Sequence, residues 1–237
     1  MTDDKPAPDA PDPTASEVLG AALGGAARRA GLDPATEAST GHVVWRAMGG
    51  WRGILESVLP SLSFLVIYTF WQELLPALIV SVGIALVFTI VRLAMRQPAS
   101  AAIGGLVATG AAAALALWTG RAEDNFVWGF LTNGLYGTAF LVSALIGWPL
   151  IGLAVGFLMG EGTKWRGDAR KRRVFFWLSL AWAALFALRL LIQLPLYFSG
   201  DVTALATTKL IMGLPLFAPL VAVTWLAVRA LYPHARK

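Results

Sequence analysis

The chain has 237 residues, 57% of them hydrophobic and only 14% charged, with a formal net charge of +5, where a soluble domain carries about 25% charge. That much apolar side chain cannot be hidden inside a water-soluble globule of this size, so lipid must cover part of it. The basic residues sit beside apolar stretches and not on a separate polar module, which argues against nucleic acid and for the phospholipid surface as the anionic partner; with no cysteine, disulfides, thiolate nucleophiles and cysteine-based metal sites are excluded.

Residues 1–50 read as a disordered cytoplasmic tail. The first fourteen are rich in Asp, Pro and Lys and lack the basic start and apolar core of a signal peptide. Residues 15–30 can form a short helix with Ser16 as N-cap, although their Ala/Gly content makes it marginal. Trp45, Arg46, Trp51 and Arg52 have the character of an interfacial belt, in a chain with ten Trp.

A helix needs about 20 apolar residues to cross the hydrocarbon core. The first crossing is expected over 54–71, Gln72-Glu73 is a tight polar turn, and 74–94 returns, with Arg92 and Arg96 at its end and Pro98 stopping it. The third crossing, 99–118, is mostly Ala and Gly; small residues allow close helix approach, so a central position is expected for it. The loop at 120–125 is polar, and 126–147 is the fourth crossing. A break at Gly147-Trp148-Pro149 leads into 150–160, apolar but only half a membrane long. There Gly152, Gly156 and Gly160 recur every four residues on one helical face. This stripe suits either packing against another helix or a re-entrant segment lining a cavity. After the basic run Arg170-Lys171-Arg172-Arg173, the fifth crossing covers 174–197 and the sixth 209–231, leaving 199–208 as a loop.

Charge sets the orientation. Lys/Arg clusters face the cytoplasm, and six crossings put Arg92/Arg96, residues 164–173 and 229–237 all on that side. The expectation is therefore an all-α polytopic protein of the inner (plasma) membrane. It has six transmembrane helices over 51–232, a short glycine-striped helix after the fourth, and both termini cytoplasmic, the last being the basic 233–237. Arg170, Lys171, Arg172 and Arg173 act as its cytoplasmic anchor.

Soluble-enzyme motifs are missing. His42 and His234 both flank the apolar region, so no metal site is expected; Gly160-Glu161-Gly162-Thr163-Lys164 lacks the order of a phosphate loop; and Thr132-Asn133-Gly134-Leu135-Tyr136-Gly137 departs from a potassium filter. With no nucleophile–base pair and no cofactor motif, a catalytic role is not expected. What remains is a set of polar residues within or beside the spans: Arg189 and Gln193 on one face of the fifth, Asn133 and Tyr136 in the fourth, Tyr68 and Glu73 at the end of the first. A charge at mid-membrane costs about 2.5 kcal/mol or more on insertion scales, so Arg189 calls for a partner, with Glu73, Glu123 or Asp124 available. Two readings stay open: a polar cavity in which Arg189 holds an anionic group such as a lipid phosphate, or a structural ion pair or snorkelling arginine. Glu56 is expected to contact Arg52 or Arg92.

Several blocks carry a resemblance. They are Trp51-Arg52-Gly53-Ile54-Leu55-Glu56-Ser57, Val91-Arg92-Leu93-Ala94-Met95-Arg96-Gln97-Pro98, Gly120-Arg121-Ala122-Glu123-Asp124, Gly147-Trp148-Pro149-Leu150-Ile151-Gly152, Gly160-Glu161-Gly162-Thr163 and Gln193-Leu194-Pro195-Leu196-Tyr197. Together they resemble an actinobacterial membrane-protein family known as domain of unknown function 3159, which implies no reaction. Glu123-Asp124-Asn125-Phe126, the Pro-Leu-Ile at 149–151 and Leu180-Ala181-Trp182-Ala183 are more faintly similar to the inner-membrane septation protein A (YciB) family. That similarity implies a non-catalytic role in cell-envelope maintenance or division, with membrane-protein partners. The alternative is a small carrier or channel-like subunit for an ion or anionic lipid, built on an outer-half cavity around Arg189.

Overall fold

The structure, a computed structural model, describes residues 50–95 and 100–232. The expected tail, with His42, Trp45 and Arg46, the Arg96–Pro98 stop, the basic 233–237 and the side chain of Arg52 lie outside the described residues. Every described element is helical: α1 (Gly50–Trp71), α2 (Leu74–Ala94), α3 (Ser100–Thr119), a 3-10 turn (Ala122–Phe126), α4 (Val127–Leu145), α5 (Leu150–Leu158), a second 3-10 turn (Lys164–Gly167), α6 (Ala169–Phe198), α7 (Val202–Ile211) and α8 (Leu214–Leu231). Four stretches are long and apolar enough to cross a membrane: Gly53–Trp71, Leu74–Ala94, Ala169–Phe198 and Val202–Leu231. Ala122–Leu145 with Leu150–Leu158, bent by 84°, makes a fifth, whereas the apolar part of α3, Ile103–Thr119, is shorter. The large exposed side chains on these helices, such as Phe70, Ile79, Val87 and Leu191, are what lipid contact requires. The described elements are thus all helical, with four or five candidate membrane spans, as in a membrane protein.

The helices run between two ends. At the turn end, the α1–α2 turn, the Ala122–Phe126 turn and the α6–α7 turn pack over a core of Phe64, Leu78, Ala116, Phe126, Leu205 and Ala206. At the basic end lie Arg92, which donates to Glu56 at 2.7 Å as its sequence position suggested, the α5–α6 linker and the end of α8. Helix α6 packs on α4, α5, α7 and α8, and its Trp182 and Phe186 stack on Phe140 of α4.

Two expectations are corrected. Helix α3 is not central: added Cβ atoms at Gly104, Gly105 and Gly110 would meet nothing within 4 Å. Small residues permit close approach without requiring it, and the contact area is supplied by the aromatic side chains of α6 and α4. The segment 199–208 is not a loop. Asp201 caps α7 by accepting from the Ala204 N–H at 2.8 Å, Thr207 bonds back to the Thr203 carbonyl at 2.8 Å, and Val202, Leu205 and Ala206 are buried. Thr207 is accommodated in the helix because its hydroxyl is satisfied on the preceding turn. The final crossing thus starts at Val202 and is interrupted at Gly213. There an added Cβ would stand 3.1 Å from the Lys209 carbonyl oxygen, and the N–H bonds Leu210 at 3.2 Å where a continuous helix would use Lys209.

Helix α5 matches the expected short helix after the fourth crossing. Pro149 offers its first turn no side-chain cap. Hydroxyls of the neighbouring helices do so instead: Ser143 accepts from the Leu150 N–H at 3.1 Å and Ser179 from the Ile151 N–H at 3.3 Å. Away from water, helix-start donors need such partners.

Candidate functional site

The α6–α7 hairpin brings two cations together. Gly200, at φ 73°, makes its tight turn in a conformation that L side chains disfavour. Arg189 lies nine residues before Phe198, the end of α6, and Lys209 seven residues after Val202, the start of α7, about 14 Å and about 10 Å from the hairpin at 1.5 Å per residue. Those depths differ by less than one helical turn, and Lys209 is within electrostatic reach of Arg189.

Both side chains line a cavity of about 260 Å³ between α1, α6, α7 and α8. Ser57 and Ser61 bring hydroxyls from α1, while Leu214 and Phe217 supply an apolar wall from α8. Ser57 spends its own proton on the Ile54 carbonyl at 3.0 Å, which leaves its lone pairs and positions the oxygen. Arg189 Nε is buried without a hydrogen-bond partner. Among the described residues the ion pairs are Arg92–Glu56 and Lys171–Glu161; neither Arg189 nor Lys209 belongs to one. Lys209 is instead stationed over the Phe126 ring, 5.2 Å from its centroid, a contact worth about 0.5–2 kcal/mol.

The expected carboxylate partners of Arg189 are engaged elsewhere, which corrects the ion-pair expectation. Asp124, buried at 6% exposure, accepts from the Tyr197 hydroxyl at 2.6 Å, and Arg121 lies over that ring at 5.4 Å. Glu123 lies against Gly200, where an added Cβ would be 3.2 Å from its Oε1. Glu73 is exposed and leads into α2 without a side-chain cap. Tyr68 stacks on Phe64 at 5.7 Å. Tyr68, Glu123, Asp124 and Tyr197 thus lie together at the turn end, apart from Glu73. Asn133 is buried and donates to the Gly129 carbonyl on its own helix at 2.6 Å. Gln193 is 4% exposed, and its Nε2 has no partner. Tyr136 is 53% exposed with its ring against Phe186 at 5.7 Å. The single polar cluster expected from the sequence is therefore dispersed; only Arg189 lines the cavity.

The glycine stripe divides by role. Gly152 and Gly156 seat Trp165, whose indole is almost fully buried. An added Cβ at Gly152 would lie 2.8 Å from that ring, and one at Gly156 would collide with it and with the Gly162 carbonyl. Gly160 does not pack, which corrects its assignment: at φ 72° with open space around it it ends α5. The Glu161 N–H then returns to the Gly156 carbonyl at 2.9 Å, as in left-handed helix caps. Packing against a neighbour therefore accounts for Gly152 and Gly156.

The anchor divides as well. Arg170, Arg172 and Arg173 are exposed, as headgroup contacts should be. Lys171 turns inward to Glu161 at 2.8 Å and lies 4.0 Å from the Tyr232 ring centroid, while the Tyr232 hydroxyl donates to Glu161 at 2.8 Å. Burial, and then the Glu161 carboxylate, hold the Tyr232 phenol well above its ordinary pKa. Nearby, the Arg166 guanidinium stacks 3.8 Å over Trp148.

Sequence reasoning missed Lys209 and Trp165. Lys209 was legible in one way: an Asp-capped apolar segment after Ser199-Gly200 can form a hairpin with the fifth crossing, which matches it to Arg189. Among the described residues no three His, Asp or Glu side chains gather to hold a metal ion.

No curated protein and no solved structure matches the chain. A family model does match, covering residues 48–235 and so every described helix in full. The chain belongs to the family described as "Protein of unknown function (DUF3159)".

Proposed function

We propose that the protein holds an anionic group inside its helical bundle and serves as a small carrier or channel-like subunit for an ion or anionic lipid. The observation that carries this reading is the pair Arg189 and Lys209 on one cavity, with no ion-paired carboxylate among the described residues. Two like charges in a low-dielectric setting repel each other and each is costly there. An oxyanion placed between them offsets both terms, with the guanidinium fork and the ammonium as charge-assisted donors.

The proposal includes six crossings, α7 and α8 serving together as the sixth, in the plasma membrane. The gathering of Arg92, Lys171 and Arg229 toward one end, with Glu73, Glu123 and Asp201 at the other, supports a cytoplasmic basic end. Both termini then lie in the cytoplasm.

The test is native mass spectrometry of the protein in lipid nanodiscs, wild type beside Arg189→Ala. The expected result is an anionic phospholipid retained by the wild type and lost from the variant, both inserting and melting normally. A wild type that retains no anionic species but captures membrane-protein partners would overturn this reading in favour of a non-catalytic envelope or division scaffold.

A further inference from the structure

A second cavity, of about 140 Å³, also has Lys209 in its lining. Its polar lining is Ser61, Ser81, Thr109, Asn125 and Lys209, and it reaches the Ala122–Phe126 turn through Asn125 and Phe126. The two cavities share two lining residues, Ser61 and Lys209.

Their order along the bundle follows from helix rise. The smaller chamber has Asn125 at the turn end and extends to Ser61, about 15 Å down α1 from Trp71. The larger begins at Ser61 and the two cations and continues to Ser57, about 6 Å further toward the basic end. The chambers therefore overlap at Ser61 and Lys209 and are offset along the direction in which the helices run, with Lys209 in the lining of both.

The final crossing is also interrupted close to this overlap. Lys209 lies one turn before Gly213, where α7 ends and α8 starts. A helix broken beside an intramembrane ionic site leaves room for one half to shift against the other. Its side chain is a point charge on a flexible stem, so it can follow an anion, whereas the planar fork of Arg189 binds from a fixed direction. The Phe126 ring that Lys209 faces belongs to the lining of the turn-end chamber.

We propose that the two chambers form one path for a phosphate-bearing anion, and that Lys209 passes the anion between them while Arg189 holds it on the basic side. This rests on the anion-binding reading above and adds movement to it. The phosphate can belong to a phospholipid headgroup or be free inorganic phosphate, and the assay separates these sources.

The experiment uses the full chain in proteoliposomes. One arm follows transbilayer movement of fluorescent phosphatidylglycerol, and the other uptake of radiolabelled inorganic phosphate. Wild type is expected to accelerate one of them at least tenfold over empty liposomes. Thr109→Leu, which narrows the turn-end chamber without altering either cation, should lose that gain while retaining the Arg189-dependent lipid in nanodiscs. Lys209→Gln should also lose it, and Lys209→Arg should recover part of it; melting temperatures show whether each variant is folded. Movement of neither probe by a wild type that binds anion overturns the path and leaves the binding reading standing. Wild-type rates in folded Thr109→Leu and Lys209→Gln overturn it as well. A wild type that binds no anion removes both proposals at once.

Discussion

At the scale of single residues, the arrangement around Glu161 shows how a membrane protein uses a charge that lipid would reject. Its carboxylate receives the Lys171 ammonium and the Tyr232 hydroxyl, so both charges are matched at the basic end. Replacing Tyr232 by Phe keeps the ring over Lys171 and removes one hydrogen bond to a charged acceptor. The expected loss is about 1–2 kcal/mol, seen as a lower melting temperature in detergent. The pH dependence follows from the raised phenol pKa: the folded state favours the protonated phenol. Its contribution is fully present below the ordinary phenol value of about 10 and is lost as pH rises from there through the folded value. The gap between wild type and Tyr232→Phe should therefore be constant from pH 6 to about 9 and narrow above it. Glycines offer a second comparison. Gly156→Ala collides with Trp165 and Gly162 and should cost about 1–3 kcal/mol by overpacking. Gly110→Ala, in open space on α3, should leave stability unchanged or raise it by about 0.5–1 kcal/mol through helix propensity. Equal melting temperatures for the two would contradict the seating of Trp165.

At the scale of elements, what could be read from the sequence was what apolar length alone determines. Helices α1, α2, α4 and α6 stand near their expected positions because each is a long run bounded by a polar turn, a glycine or a basic cluster. The short helix after the fourth was legible from Gly147-Trp148-Pro149 on one side and Gly160 on the other. Helix α7 was not, because Thr203, Thr207, Thr208 and Lys209 lower its apparent apolarity. Only tertiary packing of Val202, Leu205 and Ala206 on the Phe64–Phe126 core offsets that. The site suffered the same way: Arg189 was visible as a charge within a span, but its companion Lys209 stood at the expected start of the sixth crossing, whereas the helix begins seven residues earlier at Val202 and carries it inward. The capping of α7 gives a direct check. Asp201→Ala removes the acceptor for the Ala204 N–H and should cost about 1 kcal/mol. Amide exchange should rise first in 202–206 and leave α6 unaffected; exchange rising evenly over the bundle would argue against a separately capped helix.

At the scale of the whole molecule, the absence of cysteine in the sequence makes topology directly measurable. Single cysteines at Arg170 and Arg229 should react with an impermeant maleimide from one side of the membrane. Those at Glu73, Glu123 and Ser199 should react from the other. Labelling of Arg170 and Glu123 from the same side would refute the six-crossing arrangement. The contact between Tyr232 and Glu161 has a further consequence, for the order of biosynthesis. Glu161 and Lys171 leave the ribosome well before the last helix, so they insert as an open pair with one bond still to be made. The basic end can close only when Tyr232 has been synthesised and α8 has folded back onto the α5–α6 linker. A nascent chain stalled before Tyr232 would thus present Glu161 and the unlatched linker to membrane quality-control proteases, and the completed chain would not.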